Sequence, residues 1–158
     1  MSVASWLLWG FVGTVILTTI MAGSQTLGLT RMNIPYLLGT MFTANRDRAK
    51  VIGVGMHLVL GSLFALLYAA AFHAWGAAGW WRGALIGLVH SAFVLVVGMP
   101  IMPGIHPRMA SEYQGPTATR QLEPPGPLAL HYGVQTPVSV VLAHVVYGAV
   151  LGGFYRLA

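Results

Sequence analysis

Residues 51–75 are apolar over more than twenty consecutive positions and read VIGVGMHLVLGSLFALLYAAAFHAW. The stretch contains two histidines and no Asp, Glu, Lys or Arg. A helix that crosses the hydrocarbon core of a bilayer needs about 20 apolar residues. A helix also satisfies its own backbone hydrogen bonds, which lipid cannot do for it. The stretch therefore predicts a transmembrane helix.

The composition of the whole chain agrees with this prediction. Of its 158 residues, 56% are hydrophobic and 7% are charged. An ordinary soluble domain is about 25% charged. A soluble chain of this size cannot enclose so much apolar sequence in one core. The sequence therefore predicts a polytopic membrane protein with a single transmembrane domain over residues 1–158. The lipid bilayer is its first expected binding partner.

Four apolar segments predict an all-α fold, a four-helix bundle. The helices are expected at about residues 6–27, 51–73, 83–99 and 137–155, with connections at 28–50 and 100–136. Residues 36–42 are apolar but too short to span, which favours an interfacial or re-entrant half-helix. Prolines beginning at Pro100 are expected to end the third helix, because proline lacks a backbone donor.

Several classes of chemistry have no residues to support them. The chain has no cysteine, which removes disulfides and thiolate sites. Its acidic residues, Asp47, Glu112 and Glu123, all fall in the connections, so a paired-carboxylate mechanism has no place in the bundle. We therefore predict that the protein is not an enzyme. The net charge of +5 is spread over loops and ends and does not indicate nucleic-acid binding.

The basic residues predict an orientation. The connections after the first and third helices carry six of them, and the opposite side carries Arg82 and Arg156. The six are Arg31, Arg46, Arg48, Lys50, Arg108 and Arg120. The positive-inside rule then places both long connections in the cytoplasm and both termini outside.

A short pattern occurs twice in the chain. His57, Gly61 and Tyr68 recur with identical spacing in the fourth helix, where the histidine is His144. Helices two and four of a four-span chain run in the same direction. The pattern therefore predicts a parallel duplication of two helices plus two, with both histidines at a similar depth.

His57, His90 and His144 are the candidate cofactor-binding or functional residues. Ionisable residues within a membrane usually face the bundle interior. They can act structurally, for example by bonding the hydroxyls of Thr14 and Thr18. They can also carry a proton-linked transport or channel function, since histidine titrates near neutral pH. A third reading is axial ligation of a non-covalent haem b in a redox subunit.

A second cluster lies where the third helix is expected to end. Met99, Met102, His106 and Met109 combine thioether and imidazole groups, which are ligands that suit Cu(I). Methionine also fills irregular gaps in apolar cores. The sequence leaves both interpretations open.

Three segments carry a resemblance to a known type of protein. They are NIPYLLGTMF, RDRAK followed by H-x-x-x-G, and AHVVYGAVLGGFY. With its four-helix layout, the chain resembles a family of small, uncharacterised inner-membrane proteins of bacteria. The resemblance implies a membrane bundle located in the inner membrane of a bacterium, and it brings no activity, cofactor or catalytic residue.

The sequence favours a structural role. Gly83 and Gly87, and again Gly148 and Gly152, have the small-x-x-x-small spacing that lets helices approach closely. We therefore predict an accessory or structural subunit in a homo-oligomer or larger membrane complex, with these glycine faces as its association surfaces. The alternatives are the proton-linked and redox functions above. The sequence does not identify a small-molecule substrate.

Overall fold

A computed structural model describes residues 2–157 and confirms the all-α membrane bundle. Four continuous helical segments are long and apolar enough to cross a membrane: Val3–Thr26, Arg46–Ala74, Trp80–Ile105 and Thr136–Phe154. The helices are α1 (Val3–Thr26), α2 (Ile34–Thr40), α3 (Arg46–Ala74), α4 (Trp80–Phe93), α5 (Met99–Ile105) and α6 (Thr136–Phe154). A π-helical turn, Val94–Gly98, joins α4 to α5, and a 3₁₀ segment, Pro127–Tyr132, precedes α6.

Several hydroxyl groups of helix α1 take part in hydrogen bonds at its start or along its length. The Ser2 hydroxyl caps its first turn by accepting from the Ser5 N–H at 3.3 Å. Thr14 and Thr18 donate to the carbonyls four residues earlier, each at 2.7 Å. Such back-bonding lets a hydroxyl sit in hydrocarbon without an unpaired donor.

The short helix predicted between the first two spans is present as α2. Asn33 caps it by accepting from the Tyr36 N–H at 2.9 Å, and Pro35 lies in its first turn. Helix α2 packs directly on α3, where Gly53 faces the Pro35 carbonyl and Gly39 faces the Ala49 carbonyl. A side chain at either glycine would collide with backbone. These two glycines therefore hold α2 against the start of α3.

Two predicted helix boundaries need correction. Helix α3 begins at Arg46, with Asn45 as its cap, rather than near residue 51. The third span does not end at Met99 but continues as α5 to Ile105, through Pro100 and Pro103. The reason is the π turn before Pro100, in which the Met99 N–H bonds to the Val94 carbonyl. This wider register accommodates a proline that an ordinary α-helix would reject.

The long connection folds back over the loop end of the bundle. Met109 and Ala129 are fully buried there. The Arg108 side chain donates to the Thr40 carbonyl at 2.6 Å, which ties the connection to α2. The connection is therefore a packed cap on the bundle and not a solvated linker.

Glycines determine how the spans pack. Helix α4 lies along α6, with Gly83 against the Gly148 carbonyl and Gly87 against the His144 carbonyl. Helix α1 packs on both α3 and α6. The paired glycine faces of α4 and α6 are thus used within the chain. This corrects the expectation that they point outwards as association surfaces.

We predict that Gly152→Ala destabilises the protein by about 1–3 kcal/mol, the usual cost of overpacking. The added Cβ would collide with the Gly79 carbonyl, and the helix-propensity gain of at most about 1 kcal/mol does not compensate. Gly153→Ala is the matched control, because its Cβ would lie 3.8 Å from the Trp80 Cβ, an ordinary contact. Thermal unfolding midpoints in mild detergent measure both. Equal midpoints for the two variants would contradict the packing described.

Candidate functional site

A cavity of about 440 Å³ lies among the helices at the loop-side half of the bundle. Helices α1, α2, α3 and α6, together with the α4–α5 segment, all contribute to its wall. It forms because α4 packs on α6 and α1 packs on α3, while α3 and α4 meet through side chains. Its size is within the range of small-molecule sites, about 300–1,000 Å³.

The wall of the cavity is mostly apolar, with polar groups in two places. The apolar side chains include Leu17, Met21, Val54, Leu60, Phe64, Phe93, Val94, Ile101 and Met102. One polar group consists of Thr14, Thr18, His57, His90, His144 and Tyr147. The other, next to the connections, consists of Gln25, Asn33, Tyr36 and Lys50. All three candidate intramembrane histidines therefore line one cavity.

The hydrogen bonds of Thr18 favour one tautomer of His57. The Thr18 hydroxyl donates its hydrogen to the Thr14 carbonyl at 2.7 Å. Its oxygen therefore accepts from His57 Nδ1–H, which lies 3.1 Å away. Thr18 is one of the partners that the sequence suggested. Since Nδ1 carries the hydrogen in neutral His57, Nε2 carries a lone pair.

His144 has the same tautomer for a different reason. Its Nδ1 lies 2.8 Å from the carbonyl of Val140, four residues earlier on α6. A carbonyl can only accept, so Nδ1 must donate and Nε2 again carries a lone pair. His144 is 9% exposed, and its backbone carbonyl faces Gly87. The close packing of α4 against α6 therefore determines which groups surround His144.

His90 connects the cavity to the aromatic centre of the bundle. Its ring lies edge-on to that of His144, with centroids 4.7 Å apart. Its Nδ1 lies 3.2 Å from the Tyr68 hydroxyl, and Phe64 packs on its ring at 4.1 Å. The structure thus brings His90 and His144 into contact and places His57 elsewhere on the same wall.

The Nε2 atoms of His57 and His144 remain available to the cavity. Neither has a hydrogen-bond partner among residues 2–157. Among residues 2–157, Arg120 Nε is the only completely buried side-chain nitrogen or oxygen without a hydrogen-bond partner. The two Nε2 atoms are therefore not completely enclosed by protein. Two lone-pair acceptors therefore face a largely apolar space.

The cavity ends at a dense aromatic layer. Tyr68 and Tyr147 pack edge to face with centroids 5.3 Å apart, and the Tyr147 hydroxyl donates to the Gly61 carbonyl at 2.6 Å. Beyond them Phe72 and Leu151 are almost completely buried. In this conformation the space is a pocket and not a channel through the bundle.

The geometry bears on the haem hypothesis. Axial ligation of a haem by two imidazoles requires room for the haem between the two rings. The direct contact of His90 with His144 leaves no such space. No three His, Asp or Glu side chains in the described chain are grouped closely enough to hold a metal ion. Haem ligation by these histidines stays an untested prediction.

The predicted copper residues lie at the loop end of the bundle, where Met99 and Met102 also line the cavity. Met99, Met102, His106 and Met109 are buried. Both ring nitrogens of His106 already have partners: Nε2–H donates to the Leu37 carbonyl at 2.9 Å, and Nδ1 accepts from the Arg108 N–H at 3.1 Å. Copper could bind His106 only after one of these bonds broke. The copper site also stays a prediction.

The two copies of the repeated pattern have partly similar surroundings in the structure. Gly61 lies against Thr14 of α1 as Gly148 lies against Gly83 of α4, so each glycine packs on an antiparallel neighbour. The aligned tyrosines differ, since Tyr68 contacts His90 inside the bundle and the Tyr155 hydroxyl lies 3.0 Å from His73 at its end. The duplication remains a prediction.

Sequence reasoning missed the aromatic residues and the cavity itself. Phe64, Phe93 and Tyr147 line the cavity but look like ordinary apolar positions in their helices. Tyr68 had a signal, because it belongs to the repeated pattern, yet its pairing with His90 depends on helix rotation.

No protein-family model, curated protein or solved structure matches the chain. The resemblance to small inner-membrane proteins of bacteria is therefore untested by these comparisons and remains a prediction.

The buried His106 predicts a pH dependence of stability. Burial lowers its pKa, and the nearby Arg108 and Arg120 guanidinium groups lower it further, while its bond to the Leu37 carbonyl raises it. The folded pKa thus lies below the unfolded value of about 6.5. The unfolded chain then binds more protons, so the contribution is present above about pH 6.5 and is lost as pH falls.

We therefore expect His106→Gln to be less stable than the wild type by about 1–2 kcal/mol at pH 7.5, because buried hydrogen bonds are weakened. The difference should narrow at pH 5.5, since only the wild type carries a titrating group at this position. Thermal unfolding in detergent at both pH values measures it, and the other histidines cancel in the comparison. A difference that does not change with pH would contradict the prediction.

Proposed function

We propose that the protein is a membrane protein that binds a small, mainly apolar molecule in the cavity among α1, α3, the α4–α5 segment and α6. The observation that carries this proposal is the combination of an apolar pocket of about 440 Å³ with two unpartnered imidazole acceptors. Pockets of this type, apolar with a few placed polar groups, are the usual form of small-molecule sites.

The position of the cavity supports uptake from the lipid phase. Its wall includes α2 and residues at the start of α3, so it lies at the level where these elements meet the connections. On α3, which forms part of this wall, Val51, Val59 and Leu63 are exposed apolar side chains, the kind of surface that lipid covers. This apolar surface supports access to the site from the membrane.

The proton-linked transport hypothesis shares this cavity. Three intramembrane imidazoles on one wall support it, because such residues commonly mark substrate or proton pathways. It requires a second conformation in which the aromatic layer of Tyr68 and Tyr147 opens. The accessory-subunit hypothesis loses its main support, because α4 and α6 bury their glycine faces against each other.

We also propose that the protein resides in a bacterial inner membrane with its connections in the cytoplasm. The two long connections and the start of α3 lie at one end of the bundle and carry six of the eight basic residues. The termini lie together at the other end, where the Arg156 N–H donates to Ser5 Oγ at 3.0 Å. The positive-inside rule supports this orientation.

Single cysteines test the orientation cleanly because the natural chain has none. Tyr113→Cys lies in the connection, where Tyr113 is 98% exposed, and Leu157→Cys lies at the terminal end. We expect an impermeant maleimide applied to intact spheroplasts to label Leu157→Cys and not Tyr113→Cys. Lysis should make both reactive. The reverse labelling would overturn the proposed orientation.

A cavity-filling substitution tests ligand binding. Val94 lines the cavity, whereas Val96 on the same π turn is 61% exposed on the outer surface. We expect wild type and Val96→Trp, purified in mild detergent, to retain a small molecule that native mass spectrometry detects, and Val94→Trp to lose it because the indole occupies its space. Thermal unfolding checks that both variants are folded. The proposal fails if folded Val94→Trp retains the same mass as the wild type.

A further inference from the structure

We propose that the cavity selects a neutral, lipid-soluble aromatic molecule that carries hydroxyl donors, and that hydroquinones with an apolar tail are the class that fits it. This inference rests on the proposed binding function and adds the chemistry of the ligand. It is carried by the hydrogen-bonding state of two histidines and by the side chains that surround them.

Hydrogen bonding at His57 and His144 determines which group a ligand must offer them. Thr18 and the Val140 carbonyl each engage an Nδ1–H, so the neutral His57 and His144 present Nε2 as an acceptor. A ligand that offers only carbonyl or ether oxygens would leave both lone pairs unpaired. Leaving a buried polar group unpaired costs about 1–3 kcal/mol. These two histidines therefore favour a hydrogen-bond donor, whereas the contact of His90 Nδ1 with the Tyr68 hydroxyl does not assign the hydrogen of His90.

The charged residues around the cavity favour a neutral ligand. The cavity wall contains no Asp or Glu, and its single cationic side chain, Lys50, lies with the polar group near the connections. No opposite charge is therefore placed beside the imidazoles to stabilise an ion, and burial of an unpaired ion in an apolar site is very costly. A neutral hydroxyl satisfies the acceptors without this cost.

The side chains of the cavity wall also favour a particular ligand shape. Phe64, Phe93 and Tyr147 share the wall with the histidines, so flat side chains surround the acceptors. Aromatic rings stack favourably at offset or edge-on geometries. The remaining wall, which includes Leu17, Met21 and Ile101, is aliphatic. A planar ring with an apolar tail matches both parts of the wall, and a hydroquinone has a hydroxyl donor at each end of its ring.

The test compares three probes of nearly identical size: a decyl-substituted para-hydroquinone, its dimethyl ether and the corresponding quinone. Binding to the full-length protein in lipid nanodiscs is measured anaerobically by calorimetry. The ether and the quinone lack O–H donors. We expect the hydroquinone to bind at least about tenfold more tightly than either, since tenfold corresponds to about 1.4 kcal/mol and one or two hydrogen bonds are lost.

Histidine variants locate the preference. His57→Ala and His144→Ala should each reduce the ratio of hydroquinone to ether affinity several-fold. His73→Ala should leave the ratio unchanged, because His73 bonds Tyr155 at the far end of the bundle and does not line the cavity. The comparison of probes on the wild type stands even if a histidine variant does not fold.

The outcomes separate this inference from the proposed function. Equal binding of hydroquinone and ether, blocked for both by Val94→Trp, would overturn the donor preference and leave the cavity as a binding site. Absence of binding by all three probes would overturn the assignment to hydroquinones, and the mass-spectrometric test on purified protein would then decide the binding function alone. Equal ratios in wild type and both histidine variants would also overturn the inference.

Discussion

Close backbone contact between α4 and α6 determines where the cavity can form in this bundle. Gly83, Gly87, Gly148 and Gly152 let the two helices approach until a single added Cβ would meet a carbonyl. In lipid, where the hydrophobic effect does not drive helices together, such contact supplies much of the packing energy. Because α4 is held on α6, it is kept off α3, and the space that remains between them becomes the cavity.

The same membrane environment explains the state of the histidines. Hydrocarbon offers no partner to a polar group, so each one must find its partner in the protein. Thr18 and the Val140 carbonyl meet this need for one nitrogen of His57 and of His144, and leave the other nitrogen facing the cavity. His106 shows the contrasting case at the base of the bundle, where both ring nitrogens are engaged and the side chain is structural.

The sequence predicted the spans well because length and apolar composition determine them almost alone. It placed the end of the third helix wrongly at Pro100, because a π turn that tolerates proline has no signature of its own in VLVVG. The sequence indicated that the glycine faces of the third and fourth spans approach a helix, but it did not indicate that they approach each other. The cavity lay beyond prediction, since it depends on the rotation of α3 relative to α4, which brings Tyr68 to His90.

The preference of the cavity for a hydrogen-bond donor depends on the tautomers of His57 and His144. Solid-state ¹⁵N NMR of histidine-labelled protein in bilayers near pH 7.5, assigned with His57→Ala and His144→Ala, measures these tautomers directly. We expect both residues to be neutral, with hydrogen on Nδ1 and an unprotonated Nε2. Signals from protonated Nε2 and bare Nδ1 at these two positions would contradict it, because the cavity would then present donors instead of acceptors.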